Sequence, residues 1–421
     1  MKMLTNKKIT AEYWRDIIFQ ASGNTVAQII GVAGIPILTR LYTPEAFAAQ
    51  GLFIQLVIFL TAVVTLRYEY FVPLLKSSDE VSLLAIWLLR VGTVITLALT
   101  VVIYLALQLD LSEIFEPAIY NHFYLAPLTS LAVSISVFLQ HEVQRQANFS
   151  ASAKSEIYSK LCYLFFSAIF SVFTVQLGLL LSTMWGAVGK AYSLRSYISL
   201  SLKSKSKASN SGLIIARFKN RSLGMVLSNS LLTVSTALPL FYLGTQYGAN
   251  IQGQFTLAIS TVFLPSGLIG AAVGNVFYQR AAKLWANQAT GELKELWRQT
   301  VIRLVVISLP VYIFIFISAE WAYVLIFGHQ WESAGEFAKI LTVCAFFSFI
   351  AGPLDRLSLV YGSAKYLPGI HLLRLISIGG VVIVANYFAY DAEYFVFYYS
   401  VAMAGVYLID IVACRLILQL K

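Results

Sequence analysis

The sequence predicts an all-α polytopic membrane protein of about twelve transmembrane helices in two six-helix lobes, and three observations carry that expectation. Apolar residues make up 58% of the 421 residues and charged ones 12%, about half the charged share that coats a soluble globular protein. From Ser222 to Gln279 there is no Asp, Glu, Lys or Arg; a helix crosses the hydrocarbon layer with about 20 apolar residues, so two spans fit that window. Near the midpoint, the segment Tyr197 to Arg221 (YISLSLKSKSKASNSGLIIARFKNR) holds six Lys/Arg and no acid. It reads as a cytoplasmic hinge between two membrane-embedded halves, because Lys and Arg in short loops stay on the cytoplasmic side.

At the N-terminus, Lys2, Lys7, Lys8 and Arg15 precede a long apolar segment studded with Gln20, Asn24, Thr25 and Gln28. A cleaved signal peptide has a short, purely apolar core, so an uncleaved first span is expected. In order, the expected spans are 17–39, 47–66, 82–107, 123–143, 157–177, 179–199, 223–245, 254–277, 302–326, 338–360, 367–388 and 394–417. The predicted domains are an N-terminal lobe over 1–199, a basic cytoplasmic linker over 200–222 and a C-terminal lobe over 223–421.

Charge bias supports this count. The segments assigned outside carry Arg40 as their one Lys/Arg, together with Glu45, Asp110, Glu113, Glu116, Glu332, Glu336, Asp391 and Glu393. The inside segments carry Lys76, Arg145, Lys154, the central cluster, Arg280, Lys283, Lys294, Arg298, Lys365 and Lys421. An even number of spans in each half yields that partition and places both termini in the cytoplasm. The halves also resemble one another: Asn24, Pro36 and Ala48 to Phe53 (AAQGLF) have counterparts in Asn229, Pro239 and Asn250 to Phe255 (NIQGQF). Transporters are often built from such repeats.

The formal charge of +10 does not point to nucleic acid, since a basic binding patch gathers on one folded face and these cations fall in short loops between apolar runs. Cys162, Cys344 and Cys414 lie in apolar runs without paired spacing, so neither a disulfide framework nor a zinc site is expected.

Four stretches resemble the Wzx-type polysaccharide flippases of the multidrug/oligosaccharidyl-lipid/polysaccharide (MOP) exporter superfamily: Thr39 to Phe53 (TRLYTPEAFAAQGLF), Leu66 to Glu80 (LRYEYFVPLLKSSDE), Leu264 to Ala282 (LPSGLIGAAVGNVFYQRAA) and Ile326 to Gly335 (IFGHQWESAG). With the span plan, they spread the resemblance over most of the chain. It implies two six-helix lobes around a central cavity in the bacterial inner membrane. The implied activity is alternating-access translocation of an undecaprenyl-diphosphate-linked oligosaccharide for O-antigen or other surface polysaccharide. Implied partners are that cargo, membrane lipids, and polysaccharide polymerase and chain-length proteins.

Residue roles rest on chemistry. A diphosphate needs sheltered cations, and guanidinium and ammonium groups bind phosphate oxygens with charge assistance. Arg40 closes the first expected span, Arg90 lies in the third, Lys190 in the sixth and Arg374 in the eleventh. An Arg or Lys at a helix centre costs roughly 2.5 to 3.5 kcal/mol on insertion scales, so such residues face protein interior or water. Arg90 and Lys190 are equally open to snorkelling, and Arg40 to a headgroup contact. Arg374 has His371 one turn before it on a shared helix face. Asp410 and Asp355 are candidate acids for a coupling proton or sodium ion; Asp410 pairing with Arg374, and Asp355 with Arg356 at a helix end, are the structural alternatives. Arg67, beside Glu69, and Arg280, beside Lys283, are expected at the cytoplasmic mouth.

No GxxxxGK[ST], HExxH or GxSxG occurs, so an ATPase, zinc hydrolase or serine hydrolase lacks its residues. A non-enzymatic transporter without cofactor is expected, with at most a proton or sodium gradient as driving force. The alternatives are a drug/cation antiporter of the same superfamily, which would favour an acidic lumen, and a membrane-embedded glycan polymerase, which would need a longer outside loop than 108–122.

Overall fold

The computed structural model describes residues 26–108, 121–146, 148–197, 211–360 and 366–419. The basic residues Lys2 to Arg15, Asn24, the acids Asp110, Glu113 and Glu116, Lys203, Lys205 and Lys207 of the central basic segment, Lys365 and Lys421 lie outside the described residues. Regular structure among the described residues is entirely helical, as expected where the solvent offers no hydrogen bonds and each backbone group must be satisfied within its own segment. The helices are α1 (Val26–Leu41), α2 (Pro44–Thr65), α3 (Ser78–Gln108), α4 (Ala126–Arg145), α5 (Phe149–Phe173), α6 (Val175–Ser193), α7 (Ser211–Val262), α8 (Leu264–Ala286), α9 (Thr290–Phe327), α10 (Glu332–Leu354), the short α11 (Leu357–Val360), α12 (Tyr366–Phe388) and α13 (Ala392–Gln419).

Nine stretches among the described residues are long and apolar enough to cross a membrane, which makes this a multi-pass membrane protein. One of them, Gly212–Ala286, is 75 residues long and is interrupted at Gly248, where φ is 87° and ψ 167°. Glycine adopts that conformation without the Cβ clash that bars other residues. Taken as two passes, and with the shorter α1 and the 19-residue α6 included, it brings the number of passes to the twelve anticipated from the sequence.

Local sequence explains the helix ends. Pro44 and Pro265 sit in the first turns of α2 and α8, where a missing N–H costs nothing. The Asn148 side chain accepts the Ala151 N–H to start α5, and Asp391 Oδ1 accepts the Tyr394 N–H to start α13, the usual role of short polar caps. Gly328, at φ 105°, stops α9.

The chain packs as two compact units, one of Ile29–Gly253 and the other of Gln254–Lys421 together with the residues up to Gln28. In the first, Ile29–Gly253, the turn after α2 organises one end. Leu66 and Arg67 both take left-handed conformations, with φ of 47° and 59°, and a 3-10 turn follows over Tyr68–Leu74. Tyr68, Phe71 and Val72 of that turn share a buried apolar cluster with Leu84 and Leu88 of α3, Leu139 and Val143 of α4, and Ile214 and Phe218 of α7. The Phe71 and Phe218 rings stack at 4.5 Å, Tyr68 donates to the Ile215 carbonyl at 2.9 Å, and the Ser222 hydroxyl donates to the Leu66 carbonyl. The first turns of α7 thus bury Ile214 and Phe218 and leave Arg217, Lys219 and Arg221 exposed, an amphipathic end to the basic segment.

The two similar stretches of the internal repeat meet inside this unit. Asn250 donates to Glu45 Oε1 at 2.9 Å and Gln252 to the Ala48 carbonyl at 3.0 Å. A Cβ on Gly253 would fall 1.8 Å from the Pro44 carbonyl oxygen, so glycine is what permits this approach. The cysteines are packing residues: Cys162 lies half-buried against Gly189, and Cys344 and Cys414 are buried. In the second unit, α10 is central and packs against α8, α9 and α13, while α12 lies along α13.

Glu69 is fully buried beside Arg67, 3.5 Å away. Burial pushes its carboxyl above the ordinary value, against the lowering pulls of the Thr65 hydroxyl and Arg67. The native state therefore holds the Glu69 proton more tightly than the unfolded chain, and stability falls as pH rises from the ordinary carboxylate value through the raised one. Glu69→Gln is expected to flatten that part of the fall. Unfolding midpoints in detergent between pH 4 and 8 check it, and an unchanged slope in the variant would contradict the assignment.

Candidate functional site

The described charges inside the spans divide into three settings. The first is exposure. Arg40 is exposed in the last turn of α1, and Arg90 is exposed on α3, on the helix face that also carries the exposed Val94, Leu97 and Val101. Arg280 is half-buried near the end of α8.

The second setting is a closed ion pair. Lys190 Nζ of α6 lies 2.6 Å from Glu156 Oε1 of α5 and donates to Gln140 Oε1 of α4 at 2.8 Å. The Gln140 amide donates to the same Glu156 oxygen at 3.0 Å. The charge of Lys190 is thereby met within its own unit. Arg67 is likewise buried against Glu69, with its guanidinium 5.4 Å from the Tyr70 ring centre.

The third setting lies in the second unit, where both acids singled out in the sequence and the Arg374/His371 pair come together. Asp410 sits on the face of α13 that buries Tyr399, Met403, Val406 and Cys414. Their spacing of three and four keeps them on one helical stripe, so a carboxyl occupies a position in an apolar row. Asp355 follows the last residue of α10, and its carboxyl is an electrostatic neighbour of Asp410. Tyr366, at the start of α12, donates to Asp410 Oδ1 and lies 3.4 Å from the Cys414 sulfur.

On α12, His371 and Arg374 share a face with the buried Ile378 and Ala385. Arg374 stands eight residues into the helix, roughly 12 Å along its axis. Its guanidinium carbon is 5.0 Å from the Tyr407 ring centre, a cation–π distance. Asp355, Asp410 and Tyr399 are its other electrostatic neighbours. No ion pair within 4.0 Å joins Arg374 to Asp410 among the described residues, so the direct pair anticipated as an alternative is replaced by a shared field. Arg374 Nε, His371 Nδ1 and Asp355 Oδ1 are buried without a hydrogen-bond partner. Buried polar atoms in this state are uncommon in native proteins and mark places where a ligand, ion or water completes the set.

Sequence reasoning did not single out Tyr366, Tyr399 and Tyr407, which surround this cluster. A tyrosine in an apolar helix carries no distinctive spacing, and only the packing of α12 on α13 brings the three to the charges. Glu156 and Gln140 were missed for a related reason: three different helices bring them to Lys190. Among the described residues, no group of three or more His, Cys, Asp or Glu is placed to hold a metal ion.

Residues 37–336 match the family described as polysaccharide biosynthesis protein. The chain belongs to that family. No curated protein matches the sequence. Among solved structures, the fold is similar to an inward-facing multidrug resistance MATE family transporter of the MOP superfamily (TM-score 0.76, 12% identity, covering 93% of this chain and 94% of that one). It is also similar to an outward-facing structure of such a transporter (TM-score 0.64, 14% identity, 96% of each chain). A third likeness is to the lipid II flippase MurJ in an inward closed conformation (TM-score 0.65, 15% identity, 96% and 91%). At these identities the likeness is one of fold. This member of the polysaccharide biosynthesis family thus shares its helical fold with those structures.

The Lys190–Glu156 pair yields a direct test. Lys190→Met leaves Glu156 without its cation, and Glu156→Gln leaves Lys190 without its anion. The double variant is expected to recover part of the combined loss, with a coupling of about 0.5 to 3 kcal/mol. Thermal unfolding of the four proteins in detergent measures it, and additive losses would show the pair to be energetically idle.

Proposed function

We propose that this protein is a flippase that carries undecaprenyl-diphosphate-linked oligosaccharide repeat units from the cytoplasmic to the periplasmic leaflet of the bacterial inner membrane. Alternating access drives the transfer, for O-antigen or other surface polysaccharide, and both termini lie in the cytoplasm. The observation that carries the reading is the cluster of the buried Asp410 with the half-buried Asp355, Tyr366, His371 and Arg374, in which an atom each of Asp355, His371 and Arg374 is buried without a hydrogen-bond partner. Family membership supplies the polysaccharide context. A charge inside a membrane domain is costly and is retained where it binds an ion or substrate.

In this reading the Asp355–Asp410 pair is the ion-coupling element. The coupling ion is exchanged when the unit opens to one side or the other, and Arg374 supplies positive charge to the pair when the ion has left. The coupling ion is a proton or a sodium ion, either of which two neighbouring carboxyls bind. No resident cofactor is required. The polymerase and chain-length proteins that consume the translocated units are partners in the same sense, acting after the flip.

Deletion of the gene is expected to leave single lipid-linked repeat units on the cytoplasmic face and to abolish surface polymer. Leaflet-resolved extraction of the lipid-linked intermediates measures both. Single units accumulating on the periplasmic face would show translocation to be intact and sink the flippase reading. In the complemented strain, Asp410→Asn is expected to insert normally and reduce surface polymer at least about tenfold. Full polymer in that variant would remove the acid pair from the mechanism while leaving the flippase assignment standing.

A further inference from the structure

Arg356 stands just past α10, in the turn that leads into α11, and a cradle on α8 holds it. Asn275 Oδ1 accepts a hydrogen bond from Arg356 Nη1. A Cβ on Gly274 would lie 3.0 Å from Arg356 Nε and 3.3 Å from Cδ, so the side chain rests in a notch that glycine leaves open. Asp355, the preceding residue, and Tyr278, one turn further along α8, are electrostatic neighbours of the guanidinium. Gly274, Asn275 and Tyr278 belong to the stretch LPSGLIGAAVGNVFYQRAA, where spacings of three and four place them on one side of the helix.

This cradle positions the guanidinium without consuming it. An arginine has five N–H donors in a planar fork, and the Asn275 amide oxygen is the one hydrogen-bond acceptor that meets Arg356 among the described residues. Arg374 is more heavily engaged, with Asp355, Asp410, Tyr399 and Tyr407 as electrostatic neighbours, where Asp355 is the one acid among those of Arg356. A diphosphate arriving there would have to compete with two acids. Depth points the same way. The diphosphate of a lipid-linked sugar lies at headgroup level, the spanning stretch of α10 ends at Leu354, and Arg356 is two residues beyond, while Arg374 is roughly 12 Å along α12.

We infer that Arg356, held by Asn275 and the Gly274 notch, is the side chain of the C-terminal unit that receives the diphosphate of the cargo at the cytoplasmic leaflet. The inference rests on the flippase reading above. The free edge of the fork suits two phosphate oxygens at once, the bidentate geometry that an ammonium group cannot reproduce. Because Asp355 is the preceding residue, the phosphate contact is covalently adjacent to the carboxyl pair.

The test uses purified full-length protein in lipid nanodiscs, with undecaprenyl diphosphate as probe, undecaprenol as the phosphate-free control, and tryptophan fluorescence as readout. The wild type is expected to prefer the diphosphate over the alcohol. Arg356→Gln should weaken diphosphate binding roughly tenfold or more, the loss expected for a charge-assisted contact, and leave the alcohol unaffected. Arg356→Lys should retain part of the affinity, and Asn275→Ala should lose a few-fold through a less fixed guanidinium. Arg298→Gln, at an exposed Glu295-paired arginine on α9, should bind as the wild type does. Wild-type affinity and preference in Arg356→Gln would overturn the role of Arg356 and leave the flippase reading intact. No preference for diphosphate in the wild type would overturn both.

Discussion

A charge placed among membrane helices has to be met by another charge, a dipole or water, and the interior of this protein is arranged around that requirement. Insertion of an arginine or carboxylate at a helix centre costs several kcal/mol when nothing compensates it. The N-terminal unit meets the cost by closing its charges on each other: Lys190 on Glu156 and Gln140, Arg67 on Glu69 and Tyr70. The C-terminal unit meets it only in part. Asp355 and Asp410 lie in one another's field and Arg374 lies over Tyr407; an atom each of Asp355, Arg374 and His371 is buried without a hydrogen-bond partner, as are both carboxyl oxygens of Glu69 in the N-terminal unit.

The same economy shapes the backbone. Helices satisfy their own polar groups in an apolar medium, so irregular backbone is confined to places where other elements support it. The left-handed pair Leu66–Arg67 costs of order 1 to 3 kcal/mol per residue. It persists because Tyr68, Phe71 and Val72 behind it are locked into the cluster with Ile214 and Phe218, and because Ser222 donates to the Leu66 carbonyl. The break at Gly248 lies just before Asn250 and Gln252, whose side chains bond Glu45 and the Ala48 carbonyl. In each case a non-helical residue sits beside side-chain contacts that fix it.

The stretches that resemble the flippase family acquire physical reasons from these contacts. Arg67 and Glu69 of the LRYEYFVPLL stretch are a buried pair under a strained turn, not a solvated mouth. Gly274 and Asn275 of the LPSGLIGAAVGNVFYQRAA stretch hold Arg356. The TPEAFAAQG stretch takes the amides of Asn250 and Gln252, its own counterpart in the repeat. Similarity that reads as a string of apolar and small residues resolves into helix contacts once the partners are known.

The sequence by itself determined the class of the protein. The absence of charge from Ser222 to Gln279 and the overall composition leave no alternative to membrane helices, since an apolar run of that length has no other stable solvent. It also showed that His371 and Arg374 share a face, because a spacing of three on a helix is a geometric certainty. Tertiary structure decided which charges are neutralised and by what. Lys190 and Arg374 look alike in sequence, each a single cation in an apolar span, and they differ only because α4 and α5 bring Gln140 and Glu156 to one, while α10 and α13 bring two acids and two tyrosines to the other. Pairing across helices far apart in the chain has no period that a sequence can display, and it is pairing that sets whether a membrane charge is structural or available.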